Sequence, residues 1–142
     1  MKLLLKTGAQ VDAADGKGTT YLASYGFFDV PTMKILLEAG ANADFAGPDG
    51  KTALMQASGF GYEEAVRILI AHGAWVGQVD SKRRSALMYA ALGQYVDAIP
   101  LLLAAGADRN SRDIDGKNAI DLARQSKNEI AVQMLSVAGE VK

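Results

Sequence analysis

The segment GPDGKT at 47–52 ends in Gly-Lys-Thr, the chemistry with which a phosphate-binding loop cradles a nucleotide. That motif needs a glycine five residues before Gly50, and the position holds Phe45. A turn followed by a helix N-cap at Thr52 accounts for the same residues. DIDGKN at 113–118 has the oxygen donors that calcium takes, but Ile114 interrupts them and no glutamate follows at the twelfth position. His72 is the single histidine and there is no cysteine, so neither a His/Cys zinc site nor a Ser–His–Asp set can be assembled. Glu63 and Glu64 are adjacent carboxylates, and helical spacing puts them on a solvated outer face rather than across a cleft. The sequence therefore offers no catalytic residue, no metal ligand set and no cofactor site.

Two features remain. SKRRS at 81–85 is the one dense basic run, suited to an acidic partner. Aromatics fall off the core pattern: Tyr25 or Phe27, Phe60, Tyr89 and Trp75. Both suit the capture of another protein; the alternatives are a solvated loop for the basic run and aromatics packed beneath a loop.

Composition narrows the field further. The chain has 142 residues, 49% hydrophobic and 22% charged, which describes one ordered domain. A net charge of -1 and a pI near 5.8 give no electrostatic case for nucleic acid. No apolar run approaches the roughly 20 residues that span a bilayer, so no membrane partner is expected. The opening MKLLLK looks like the start of a signal peptide, but Lys6 interrupts the apolar run and no small-residue cleavage site follows. A cytoplasmic location is the expectation.

Glycine spacing reveals the organisation. LLLKTGAQVD, ILLEAGANAD, ILIAHGAWVG and LLLAAGADRN each place apolar residues, two spacers and Gly-Ala in the same order, and MLSVAG ends similarly at Gly139. The series begins at Gly8; Gly40, Gly73, Gly106 and Gly139 are 33 residues apart, and Thr20, Thr52, Ser85 and Asn118 follow Gly8, Gly40, Gly73 and Gly106 by 12 each. Two series at a fixed offset indicate stacked units. In TALMQAS, Ala53, Leu54 and Ala57 share one helical face; in EEAVRILIAHG, Ala65, Val66, Leu69 and Ile70 do so. Thr52 and Ser85 are expected N-caps, and Gly73 an expected helix stop in the left-handed conformation. Helices under 12 residues are not stable alone, so neighbouring units must supply the core.

The layout resembles the ankyrin repeat. DGKGTTYLASY, GPDGKTALMQAS, DSKRRSALMYAA and DIDGKNAIDLAR are similar to that family's helical start, and MKILLEAGANAD and IPLLLAAGADRN to its ending. The resemblance implies an all-α solenoid of stacked helix-turn-helix units with short hairpin loops projecting as fingers. One domain over 1–142 divides into a half repeat (1–14), repeats at 15–46, 47–79 and 80–112, and a capping repeat at 113–139. Arg124, Gln125, Ser126, Lys127 and Gln133 give that last repeat a polar outer face.

The departures carry expectations of their own. The family's Pro and His after the N-cap are absent, with Met55, Met88 and Asp121 where His would stand. The first full repeat is one residue short around Tyr25–Pro31, and Pro31 suits the first turn of a helix. Pro100 lies inside the expected second helix and predicts a kink or a late start. Arg83 stands where the family has glycine and predicts backbone strain or a changed turn.

The resemblance implies a non-catalytic module that holds a partner protein on hairpin tips and the concave inner-helix face. The register selects Asp49, Lys51, Phe60, Ser81, Lys82, Arg84, Tyr89, Arg112, Ile114 and Lys117, with Tyr89 on the exposed face of its helix. Met1–Lys6 reads as the second helix of a unit without its first, a candidate for self-association. Two alternatives stand beside this: a regulatory, inhibitory (immunity-type) partner of an enzyme, and a structural fragment of a larger ankyrin-repeat protein.

Overall fold

The computed structural model describes residues 10–24 and 28–140, with side chains to residue 137. Met1–Lys6, Tyr25 and Phe27, on which expectations rest above, lie outside the described residues. Among the described residues, four inner helices alternate with four outer ones. The inner set is α1 (Tyr21–Ser24), α3 (Ala53–Phe60), α5 (Ala86–Leu92) and α7 (Ala119–Gln125); the outer set is α2 (Val30–Glu38), α4 (Glu63–Ala71), α6 (Ala98–Ala104) and α8 (Glu129–Glu140). Each inner helix packs on the next inner helix, α3, α5 and α7 also pack on their own outer helices, and outer helices pack on one another. Contacts between neighbours only make a solenoid.

Local chemistry sets each boundary. Thr52 accepts from the Met55 N–H at 3.3 Å and Ser85 from the Met88 N–H at 3.4 Å, so both are N-caps as expected. Asn118 and Asp121 form a reciprocal capping box. Gly40, Gly73 and Gly106 end α2, α4 and α6 at φ of 92°, 86° and 94°. Their bonds close Schellman motifs: Gly73 N–H to the Ile70 carbonyl and Ala74 N–H to the Leu69 carbonyl, both at 3.0 Å. Gly139 departs from this series, because α8 continues through it to Glu140.

Both proline expectations hold. Pro31 lies in the first turn of α2. Pro100 is the third residue of α6, which begins at Ala98, two residues late in register against α4. The late start puts the ring where no intrahelical N–H is required.

The inner helices approach closely because their packed faces are mostly alanine. Ala57, Ala90 and Ala123 are fully buried, with Leu54, Met55, Leu87, Met88 and Leu122 filling the space between. At Gly93 the approach is closer still: a Cβ there would lie 2.4 Å from the Gly59 carbonyl oxygen. Arg124, Gln125, Ser126, Lys127 and Gln133 are all exposed.

The segments between outer and inner helices form the fingers: 15–20, 47–52, 80–85 and 113–118. Each closes with a backbone bond such as Asp80 N–H to the Arg84 carbonyl (3.0 Å). Among the described residues they carry isolated bridges, Ala14 with Thr20 and Val79 with Ser85, rather than strands. Arg83 keeps the shared turn at φ 60°, where the other fingers place Gly18, Gly50 and Gly116. The expected strain is present, in an unchanged turn.

Candidate functional site

Aspartates build the fingers, and the motif reading did not single them out. Asp15, Asp80 and Asp113 stand five residues before their N-caps. One carboxylate oxygen of each accepts two backbone N–H groups of its own turn: Lys17 and Thr19, Lys82 and Arg84, Asp115 and Lys117. In Asp80 and Asp113 the second oxygen ties down a neighbour. Asp80 Oδ2 accepts the Tyr89 hydroxyl, and Asp113 Oδ2 accepts Arg84 Nε at 3.3 Å. Burial works to raise the Asp113 pKa, but the Lys117 and Asp115 N–H groups and the Arg84 guanidinium outweigh it and hold the carboxyl below its ordinary value. Burial first, then the bond to Asp80, hold the Tyr89 phenol protonated well above its ordinary range.

Finger 2 departs from this plan. Gly47 replaces the aspartate, and Asp49 takes over one of its bonds, accepting the Lys51 N–H at 3.1 Å. Fingers 2, 3 and 4 are tied by single backbone bonds, Ser81 N–H to the Asp49 carbonyl (3.0 Å) and Ile114 N–H to the Lys82 carbonyl (2.9 Å). Pro48 occupies the equivalent position on finger 2 and has no N–H to give finger 1. A polar cleft of about 300 Å³ separates those two, lined by Asp15, Lys17, Thr19, Gly47, Asp49 and Lys51 among others.

The ten selected residues separate into three groups. Lys51, Phe60 and Tyr89 meet in one groove of about 330 Å³ between α3 and α5, with Met55, Gln56, Gly59, Leu92 and Gly93 completing its walls. Lys51 Nζ stands 5.9 Å from the centre of the Tyr89 ring and 3.2 Å from Asp49. Phe60 is exposed at the far end. Asp49, Ser81, Lys82 and Ile114 are exposed on the finger tips, Ile114 at 65%.

The third group is engaged in bonds within the protein. Arg84 is not a free tip charge: its side chain is 23% exposed and bonds the fully covered Asp113. Arg112 donates to the Gly116 carbonyl at 2.6 Å and faces Asp121 at 3.7 Å, and Lys117 donates to Gln125 at 2.7 Å. Tyr89 is half-buried rather than exposed, because its hydroxyl reaches back to Asp80.

The other candidates resolve simply. GPDGKT and DIDGKN are finger turns. His72 is the exposed C-cap of α4, its Nδ1 3.0 Å from the Ile68 carbonyl. Glu63 and Glu64 are exposed, paired with Arg67 at 2.6 Å and Lys34 at 3.5 Å. Trp75 is 64% exposed, with its indole over Gly77. Among the described residues no group of three or more His, Asp and Glu side chains is placed to hold a metal ion, and no helix is long and apolar enough to cross a membrane.

No curated protein matches the chain. A family model described as ankyrin repeats (3 copies) matches residues 1–80 and 20–113. With the capped helix pairs and tied fingers, that match decides the family: the chain belongs to the ankyrin repeats, a family whose general role is protein–protein interaction.

Proposed function

We propose that the chain is a non-catalytic module that captures a partner protein in the groove between α3 and α5 and on the tips of fingers 2 to 4. The observation that carries this reading is the groove itself. A cation at Lys51, an amide at Gln56 and an apolar floor of Met55, Leu92 and Phe60 converge in about 330 Å³. A few polar groups over an apolar floor is the composition of a protein-recognition pocket. Backbone bonds between fingers 2, 3 and 4 hold the display rigid, which lowers the entropic cost of docking.

Binding-deficient variants must spare the clamps. Replacing Arg84 or Tyr89 would loosen the fingers along with any contact they make. The triple variant Lys51→Glu, Phe60→Ala, Lys82→Glu changes only groove and tip side chains, so it should lose partner capture while keeping its unfolding midpoint. Capture at parental affinity would rule out this face.

A further inference from the structure

Neighbouring fingers are joined in two ways, and the first junction has neither. Ser81 N–H bonds the Asp49 carbonyl at 3.0 Å, and Ile114 N–H bonds the Lys82 carbonyl at 2.9 Å. Between fingers 3 and 4, Arg84 adds its bond to Asp113. Counted back from the N-caps, Pro48 stands where Ser81 and Ile114 stand, opposite the Lys17 carbonyl, and it has no N–H. By the same count Gly47 stands in place of Asp113 and Thr19 in place of Arg84, so the side-chain tie is missing too. Among the described residues no hydrogen bond or ion pair joins residues 15–20 to residues 47–52. The spacing differs accordingly. A Cβ at Gly50 would fall 2.9 Å from the Asp80 Cα and the Ser81 nitrogen, so fingers 2 and 3 meet backbone to backbone. A Cβ at Gly18 would meet nothing nearer than the Pro48 ring, at 3.7 Å.

Finger 1 is nonetheless firm in itself. Asp15 N–H bonds the Thr19 carbonyl at 2.9 Å, and the Asp15 carboxylate accepts the Lys17 and Thr19 N–H groups at 2.9 and 3.0 Å. Its ties to the second repeat lie away from the tip. Asp12 accepts the Asn42 N–H with both oxygens at 3.1 Å, and Gln56 donates to the Ala23 carbonyl of α1. A stiff arm held at its base and free at its end moves as a unit. The space open to it is the cleft of about 300 Å³, with Lys17, Thr19 and Ser24 on one side and Asp49 and Lys51 on the other. Lys51 and Gln56 also line the groove between α3 and α5, so the cleft runs into that groove.

We propose that finger 1 is a movable gate. It swings on the Asp12–Asn42 tie, opening and closing the cleft, while fingers 2, 3 and 4 stay locked to one another. Closure carries Lys17 toward Asp49. Hydroxyls and charges on both sides keep water as their partner while the gate is open, so neither position strands a polar group. That the gate controls entry to a binding groove rests on the capture reading above; the motion itself does not.

The chain has no cysteine, so introduced thiols report without background. Nitroxide labels are placed at Arg67→Cys and at one finger residue, Lys17→Cys, Lys82→Cys or Asp115→Cys, and the distances are read by electron paramagnetic resonance. The Lys17 pair should give a broader distribution than the other two. Adding Pro48→Ala supplies the missing N–H and removes the ring, so the Lys17 pair should narrow to the width of the others. A single Ser24→Cys reads access to the cleft. A bulky maleimide should label it several-fold more slowly once Pro48→Ala closes the gate, while labelling of a single Lys82→Cys stays the same. Equal widths for the three fingers, a Lys17 pair left broad by Pro48→Ala, or unchanged labelling of Ser24→Cys would overturn the proposal. No arm involves a partner, so failure of the gate and failure of capture in the groove are read separately.

Discussion

Breaking the Arg84–Asp113 bond should cost more than breaking any surface pair of this protein. The Asp113 side chain is fully covered and that of Arg84 is 23% exposed, so water screens the contact poorly. Asp113→Asn keeps an oxygen for the Asp115 and Lys117 N–H groups but turns a donor toward Arg84. Arg84→Met keeps the aliphatic stem. A charge-assisted bond contributes about 1.5–3 kcal/mol, and one single contact at 3.3 Å belongs at the lower end, about 1.5 kcal/mol. A double-mutant cycle from urea unfolding of the four proteins measures that coupling directly. The control cycle is Lys34–Glu64, whose side chains are 48% and 65% exposed at 3.5 Å and should couple by less than about 0.5 kcal/mol. Because only neighbours touch, amide protection in α7 and α8 should fall before protection in α3 and α4. Coupling below about 0.5 kcal/mol, or equal coupling in both cycles, would refute the view that the fingers are locked by buried aspartates.

Four further outcomes follow from the same geometry. Arg83→Gly should raise stability by about 0.5–1 kcal/mol, because relief of the left-handed backbone outweighs the flexibility gained by the unfolded chain; a lower urea midpoint would show that the arginine side chain matters more than its φ. Ser58→Ala should stabilise by about 1 kcal/mol, since the Ser58 hydroxyl is buried without a hydrogen-bond partner among the described residues; destabilisation would mean that a partner exists. Gly93→Ala should cost about 2 kcal/mol by driving a methyl group against the Gly59 carbonyl, measured as loss of Tm and of the α3–α5 groove together, and an unchanged Tm would contradict the close approach. Acid should loosen the junction of fingers 3 and 4. The native pKa of Asp113 lies below its unfolded value, so its contribution is complete above about pH 4 and fades as pH falls through the native value. Asp113→Asn should therefore flatten the stability profile below about pH 4, and identical slopes would exclude that carboxylate.

Most of the scaffold was legible in the sequence because glycine and the N-cap residues act locally. Thr52, Ser85 and Asn118 cap the helix that follows, and Gly40, Gly73 and Gly106 end the helix that precedes, whatever lies elsewhere. Gly139 misled for the same reason: the spacing matches, but α8 continues through it. Side-chain direction was less legible. Register put Arg84 on a finger but could not show it turning to Asp113, since that bond joins residues of two units, 29 positions apart. The role of Asp80 and Asp113 was visible in principle, as an aspartate five residues before each cap, and was hidden by Gly47 breaking the series.

The most direct test of the binding account is site-specific photocrosslinking in cells that express the chain naturally. A photoreactive residue replaces Gln56 in the groove, Lys82 on finger 3, or Arg67 on the outer helix α4. The account predicts the same partner protein crosslinked from positions 56 and 82 and absent from position 67. Adducts from position 67 alone would place the partner on the outer face and contradict it.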